Sequence, residues 1–379
     1  SLTVNGSGSH ALYAFTEQRI KSPAKVEVDG PSSWYLGSNG ADLVIISHRD
    51  FLNSMEPLRR DRESQGLSVA LMDVEDLYDE FNFGQKSPHA IKGFLAWARR
   101  HWKKAPQYVL LVGDGSFDLR NFLGLGDFDF VPTKLIDTAY LETASDDWFV
   151  DFNNDGLPEM AIGRLPVRTV EEMDILVSKI VGYQQAAPMQ EVVLVADIND
   201  TFNYETVSEE LRGLLPSSIV VRKIFRGDFG TDGEARNALI GGINQGPLLV
   251  NYFGHGSVEL WNGSILSRGD ADALINGWRL PFFINMTCFN GMFHDVYTES
   301  LSEALLKAEE GGAIAVWASS GLTEPEAQAM LNRELIRILF NGESITLGEA
   351  VKRAKAATPD PDVRRTWILF GDPTTQLKN

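Results

Sequence analysis

Short, continuous runs of apolar residues alternate along this chain with stretches of helical periodicity. A strand that is apolar at every position is covered on both faces, which is typical of parallel strands flanked by helices. The pattern therefore predicts an α/β fold with mostly parallel sheets. The predicted strands span residues 42–47, 67–72, 108–113, 159–163, 191–196, 219–225, 247–253, 280–286 and 312–318.

Helical stretches lie between these runs and suggest where the chain divides. Residues 88–104 and 167–185 carry apolar residues at helical spacing, and Pro188 ends the second of these helices. A new apolar run follows directly. We therefore predict two α/β halves, residues 41–189 and residues 190–379.

The first 40 residues have a different texture. Short alternating stretches, HALYAF (10–15) and AKVEV (24–28), are broken by Gly, Ser and Pro, which predicts a short β-rich N-terminal segment over residues 1–40. Residues 1–30 lack the basic start and apolar middle of a signal peptide. We therefore expect the chain to begin inside a longer precursor.

Charge narrows the range of partners. The 379 residues include 52 acidic and 34 basic ones, which gives a formal net charge of −18. A field of this sign repels nucleic acid and anionic membranes and attracts basic ligands. We expect no nucleic-acid partner, and no membrane span either, because no apolar run reaches the roughly 18 residues that a spanning helix needs.

One histidine and the single cysteine follow two of the predicted strands. His255 lies in NYFGHGS and Cys288 in NMTCFNG. If the two strands are parallel neighbours joined by a helical crossover at 267–277, both side chains leave the same sheet edge. An imidazole can then activate the thiol and protonate a leaving amine, while the N–H groups of Gly256 and Cys288 are candidate oxyanion donors. The competing interpretation is that Cys288 is a small packed hydrophobe.

These and other stretches resemble the gingipain family of cysteine peptidases, in the family's order from about residue 41 onward. The resemblance implies a caspase-like fold of two α/β sandwich subdomains, 41–189 non-catalytic and 190–379 catalytic. It implies an exported cysteine endopeptidase that cleaves after Arg or Lys, with Cys288 as nucleophile and His255 as general base. The matching stretches are NYFGHGSVELW (251–261), INMTCFNGMF (284–293), PEMAIGRLPV (158–167), YVLLVGDGSFD (108–118), ADLVIISHRDF (41–51), VEDLYDEFNFG (74–84) and WILFGDPT (367–374).

The resemblance also implies an acid that orients the histidine, after the strand that opens the second half. Asp197 is the best positional match and Asp200 the next. The alternative for either acid is a cap on the following turn.

A further acid of the family pairs with the basic side chain of the substrate. Glu205 lies closest to that place, although Tyr204 fits equally well, and Trp261 is a second candidate substrate-binding residue. The tryptophan that lines the pocket in Arg-specific relatives is absent near Pro325. Glu324 or Glu326 could supply substitute charge, or simply favour the start of a helix.

The stretch DFNNDGLPE (151–159) carries oxygen ligands at alternate positions before a glycine. Asp151, Asn153, Asp155 and Glu159 form a candidate calcium loop that lacks the closing position of an EF-hand. The alternative is a turn rich in Asp and Asn. We expect at most a structural calcium ion and no cofactor required for the chemistry.

Three functions are compatible with these observations. The first is a secreted or cell-surface cysteine endopeptidase that acts on polypeptides. The second is a sortase-like transpeptidase of the same fold, in which an amine replaces water as acceptor. The third is a catalytically silent surface adhesion or scaffold domain.

Overall fold

The computed structural model describes residues 7, 9, 11, 13–22, 26, 30–186 and 189–378. The chain divides into two compact units, Ser1–Ser32 and Ser33–Asn379. In the first unit, the described residues contain one short 3₁₀ turn, Glu17–Arg19. Most of the stretch 24–28, where the sequence predicts a strand, lies outside the described residues.

Each of the nine predicted apolar runs forms a strand, and three further strands follow from the structure. These three are the pair β4 and β5, which form a separate hairpin, and β12. The strands are β1 (Leu43–Ser47), β2 (Val69–Asp73), β3 (Tyr108–Val112), β4 (Lys134–Asp137), β5 (Glu142–Ser145), β6 (Ala161–Leu165), β7 (Met189–Ala196), β8 (Val220–Phe225), β9 (Pro247–Phe253), β10 (Phe282–Met286), β11 (Ala315–Ser319) and β12 (Trp367–Phe370).

Ten of the described strands form one sheet in the order β2-β1-β3-β6-β12-β11-β10-β9-β7-β8. All neighbours are parallel except β11 and β12, which are antiparallel. The strands of the first half and β12 therefore run in one direction, and the other strands of the second half run in the opposite direction. The predicted mostly parallel α/β architecture is confirmed, and the two halves share a single sheet.

Helices cover the sheet and begin where the sequence supplies caps. Ser87 caps α3 and Thr169 caps α4, in each case by accepting a backbone N–H bond of the first turn. The predicted crossover helix over 267–277 is shorter than expected, since only Arg268–Asp272 is helical. The helices are α1 (Leu52–Ser64), α2 (Val74–Asn82), α3 (Pro88–His101), α4 (Val170–Gly182), α5 (Tyr204–Arg212), α6 (Asp232–Ile243), α7 (Arg268–Asp272), α8 (Leu301–Lys307), α9 (Pro325–Leu339), α10 (Leu347–Ala354) and α11 (Pro361–Thr366).

Strand β1 shows why its run is apolar throughout. Leu43 and Ile45 pack into one hydrophobic cluster, whereas Val44 and Ile46 pack into another. Successive residues of a strand point to opposite faces, so both faces of this strand are buried. None of the helices in the described part of the chain has the length and apolar character needed to span a bilayer.

The division of the chain at residues 40 and 189 stays a prediction. The compact unit that begins at Ser33 contains both α/β halves. Pro188 itself lies outside the described residues, but α4 ends before it at Gly182 and a 3₁₀ turn follows over Tyr183–Gln185.

Candidate active site

His255 and Cys288 leave the sheet at the same level. Strands β9 and β10 are parallel neighbours, and Phe253 at the end of β9 pairs with Met286 at the end of β10. Each of the two candidate residues follows its strand end by two positions. The prediction that these strands are parallel neighbours is confirmed, so the thiol and the imidazole belong to adjacent loops at one sheet edge.

The imidazole of His255 has two partners, and both contact the same ring nitrogen. The Asp200 Oδ2 atom lies 2.8 Å from Nε2, and the Tyr204 hydroxyl lies 3.1 Å from it. Both residues come from the segment between β7 and the first turn of α5. The His255 side chain remains 60% exposed, so the ring is open to a ligand.

Asp200 is held in its charged form. Its other oxygen accepts a hydrogen bond from the Phe202 N–H at 2.8 Å. This backbone hydrogen bond, followed by the bond to His255, lowers the pKa of the Asp200 carboxyl below its ordinary value. At neutral pH the imidazole therefore faces a carboxylate.

Asp197 has a different role from the one predicted for it. It is fully buried, and its oxygens accept bonds from the backbone N–H of His255, from the Asn262 amide and from the Arg226 guanidinium. These contacts position the main chain of the histidine loop. The prediction that Asp197 orients the imidazole is therefore corrected: the acid in contact with the ring is Asp200.

Cys288 lies partly buried beside the start of α9. Its Sγ atom is 3.7 Å from the carbonyl oxygen of Thr323. Burial raises the pKa of the thiol above its ordinary value, and the negative charge of Glu324 adds to this effect. The resting thiol is therefore protonated at neutral pH and needs a base before it can act as a nucleophile.

A hairpin from the first half reaches this part of the second half. Thr143 on β5 donates a hydrogen bond to the carbonyl of Ser320, just beyond β11. In the turn between β4 and β5, the Tyr140 hydroxyl donates to the Glu324 carboxylate. A side chain of the first half thus contacts Glu324, whose charge acts on the thiol.

Gly256, one of the two predicted oxyanion donors, lies in a tightly packed loop. A Cβ atom on Gly256 would lie 2.7 Å from the Thr287 hydroxyl oxygen and 3.0 Å from the Leu260 carbonyl, so only glycine fits there without displacement. Among the described residues, neither the Gly256 nor the Cys288 N–H donates a hydrogen bond to the protein. Both are available to a ligand.

Trp261 is a core residue, so the prediction that it binds substrate is wrong. The side chain is fully buried and stacks on Tyr252 at 4.1 Å between ring centroids. Its indole N–H donates to the Asn290 side chain at 2.8 Å. The Tyr252 hydroxyl in turn donates to the His255 carbonyl at 2.6 Å. Trp261 therefore ties the loop after β9 to the loop after β10.

The two alternatives for the pocket acid lie in different surroundings. Glu205 points toward Gly227, where an added Cβ would lie 3.0 Å from a Glu205 carboxylate oxygen. Gly227 follows β8, the edge strand, whereas Tyr204 contacts His255. Glu324, next to the thiol, is the carboxylate that lies close to Cys288.

The candidate calcium loop is closed by its own backbone. Asp151 accepts bonds from the N–H groups of Asp155 and Gly156, and Glu159 accepts one from Phe152. In the described ranges, no group of three or more His, Cys, Asp or Glu side chains converges as metal ligands would. The residues thus fit a hydrogen-bonded turn better than an ion site, and calcium here stays a prediction.

The family model "Peptidase family C25" matches residues 37–378, which is nearly the whole chain. This chain belongs to peptidase family C25. Among curated proteins it is 24% identical to gingipain R2 of Porphyromonas gingivalis, over 90% of this chain and 46% of the relative, and 22% identical to Lys-gingipain W83 of the same organism, over 57% of this chain and 12% of the relative. The chain thus spans less than half the length of these curated relatives.

Two solved structures share the fold. The crystal structure of the Arg-specific cysteine proteinase gingipain R matches with a TM-score of 0.72 and 22% identity, over 90% of this chain and 78% of the other. The complex of the Porphyromonas gingivalis RgpB pro- and mature domains matches with a TM-score of 0.75 and 20% identity, over 88% and 79% of the two chains. The predicted gingipain-like fold is confirmed.

Proposed function

We propose that this C25 protein is a cysteine endopeptidase whose nucleophile is Cys288 and whose general base and acid is His255. The observation that carries the proposal is the shared register of the two residues beyond β9 and β10, with an ionised acid in contact with the Nε2 atom of the ring. Because burial raises the pKa of Cys288, the resting thiol in this proposal is protonated, and His255 takes its proton during the reaction.

In the proposed reaction, Asp200 keeps the Nε2–H of the neutral imidazole, so Nδ1 takes the thiol proton. The Cys288 sulfur then attacks the carbonyl carbon, and the N–H groups of Gly256 and Cys288 stabilise the oxygen anion. When the C–N bond breaks, the imidazolium proton passes to the leaving amine and a thioester remains. Water, deprotonated by the same imidazole, hydrolyses the thioester and restores the thiol.

We further propose cleavage after Lys or Arg. The formal net charge of −18 favours basic polypeptides, and the Glu324 carboxylate lies close to the nucleophile. The names of the relatives point the same way, since one is called Arg-specific and another Lys-gingipain. The proposal includes no nucleic-acid partner. Export to the medium or the cell surface, which the family resemblance implies, belongs to it.

Peptide cleavage tests the proposal directly. The protein, Cys288→Ala and His255→Ala are incubated with a mixed peptide library, and the new termini are read by mass spectrometry. We expect cuts after Lys or Arg with the unaltered protein alone. Cuts after other residues would refute the specificity and leave the dyad intact. Products that persist in Cys288→Ala, or none at all, would refute the peptidase.

An amine added to the same reaction separates hydrolysis from transpeptidation. With glycinamide present, a hydrolase yields mainly free carboxyl termini, whereas a transpeptidase yields the glycinamide adduct. Calcium is tested by thermal unfolding with calcium or a chelator. A rise in the unfolding temperature that Asp151→Asn and Asp155→Asn abolish would support the loop at 151–159 as the site.

A further inference from the structure

Tyr204 is fixed in place by aromatic contacts on three sides. Its ring centroid lies 5.2 Å from that of Phe202, 5.4 Å from that of Phe253 and 5.7 Å from that of His255, with the last two pairs edge to face. The residue is 2% exposed and begins helix α5. Its hydroxyl therefore approaches the imidazole on a rigid support and not from a mobile side chain.

The two partners of Nε2 favour opposite tautomers of the ring. A neutral imidazole has one N–H and one lone pair, on different nitrogens. Ionised Asp200 can only accept a hydrogen bond, so it favours the tautomer with the proton on Nε2. The Tyr204 hydroxyl can donate, and a bond to the Nε2 lone pair favours the tautomer with the proton on Nδ1.

We propose that Tyr204 is a positioning residue that contacts the same nitrogen as Asp200 and, when Asp200 is lost, lowers the fraction of His255 able to act as a base through Nδ1. This inference rests on the proposed function only in assigning Nδ1 to the thiol. The contact of Asp200 is shorter, 2.8 Å against 3.1 Å, and charge-assisted. Asp200 therefore dominates in the intact protein, where the Tyr204 oxygen shares the N–H as a weaker acceptor.

The competition predicts that, once the Asp200 carboxylate is removed, Tyr204 determines the tautomer of the His255 ring. In Asp200→Ala the Tyr204 hydroxyl donates to Nε2, so the proton moves to Nδ1 and the base faces the wrong way. In the double variant with Tyr204→Phe no donor is left, and the ring returns toward the Nε2–H tautomer. If Tyr204 only packed against the ring, adding Tyr204→Phe to Asp200→Ala would impair His255 further instead of restoring the Nε2–H tautomer.

Nitrogen-15 NMR of histidine-labelled full-length protein, at a pH where His255 is neutral, measures the tautomer directly. His255→Ala identifies the signals. We expect Nε2–H in the unaltered protein and in Tyr204→Phe, Nδ1–H in Asp200→Ala, and mainly Nε2–H in the double variant. Tyr78→Phe, which removes a buried tyrosine hydroxyl in the first half, is the control and should leave the signals unchanged.

Iodoacetamide alkylation of Cys288 gives a second measurement that needs no peptide cleavage. The His255-dependent rate should fall about tenfold in Asp200→Ala and recover several-fold on adding Tyr204→Phe. Asp200→Asn guards against a folding defect, because its oxygen can still accept from Phe202 while its NH₂ donates to Nε2; it should show Nδ1–H with either residue at 204. If Asp200→Ala keeps Nε2–H, or if Tyr204→Phe restores neither signal nor rate, the proposal fails, whether or not the protein cleaves peptides.

Discussion

The two halves of the molecule differ in how they use the acids beyond their strand ends, although Asp197 of the second half pairs with Arg226 as its first-half counterparts pair with arginines. In the first half, Asp114 beyond β3 pairs with Arg168 at 2.6 Å, and Asp146 beyond β5 pairs with the buried Arg164 at 2.6 Å. In the second half, Asp200 keeps 41% of its side chain exposed, and its partner is an imidazole. A strand-end acid neutralised by an arginine holds the fold together, whereas one paired with a histidine can orient a base.

Other acids of the first half are likewise bound by protein groups. Asp147 pairs with the buried Lys355, and Asp118 accepts the N–H groups of Phe122 and Leu123 at 2.8 Å. Burial raises the pKa of Asp114 to about 6, although the positive charge of Arg168 lowers it. These carboxylates are already satisfied by protein groups.

Replacing the histidine should give the largest effect on activity. His255→Ala removes the proposed base and acid, so kcat/KM for a peptide substrate should fall by about 10⁴-fold or more. His48→Ala is the matched control, since His48 directly follows β1 in the first half and its Nδ1 contacts the neighbouring Asp50. An equal loss in His48→Ala would move the site to the first half and overturn the comparison.

Breaking a first-half ion pair should affect stability instead. Arg164→Met leaves the Asp146 carboxylate buried without its cation, and the free energy of unfolding should fall by about 3–5 kcal/mol. Urea denaturation measures the change, and kcat per folded molecule should stay the same. A loss of kcat without a loss of stability would show that the first half takes part in the chemistry.

The orienting acid comes next in size. Asp200→Asn keeps the shape of the side chain but presents a donor to Nε2, so kcat should fall by about 10²- to 10³-fold. Asp50→Asn is the control, because the Asp50 carboxylate lies 3.5 Å from Nδ1 of His48 in the first half. Little change in Asp200→Asn would mean that the acid does not orient the ring.

The smallest effect concerns the charge beside the thiol. Burial is the larger cause of the raised pKa of Cys288 and persists in Glu324→Gln, while the contribution of Glu324 disappears. Without the negative charge the thiolate is easier to form, so the pKa falls. The alkylation profile between pH 6 and 10 should then move to lower pH, with a rate a few-fold higher at pH 7. No such shift is expected for the surface variant Glu310→Gln.

The sequence predicted the strands well because most of them are apolar on both faces. The sequence did not predict the hairpin of β4 and β5, because KLID and ETAS are too short and too polar to form a continuous apolar run. Strand β12 (WILF) was found as a motif but not as a strand. Its four residues follow a helix without a turn between them, so no boundary marks it.

Register explains why the acid was misassigned. Ala196 pairs with Phe253, so Asp197 is level with Gly254 and meets the main chain of the histidine loop. A side chain that reaches the ring of His255 must start farther beyond the sheet edge, as Asp200 does. The number of residues between the strand end and the acid is therefore a better predictor of contact with the His255 ring than the positional match to the family. The burial of Trp261 had no signal in the sequence, because it depends on the partner loop that contains Asn290.

Strand β12 has a consequence for how the molecule is made. It lies at the centre of the sheet, between β6 and β11, yet it is the last of the described strands to leave the ribosome. Until it arrives, both halves present an unpaired inner edge, and such edges invite association with other nascent chains. Synthesis that stalls before Trp367 should therefore produce aggregation-prone fragments. We expect chaperone binding to protect the chain from aggregation until translation has passed that point.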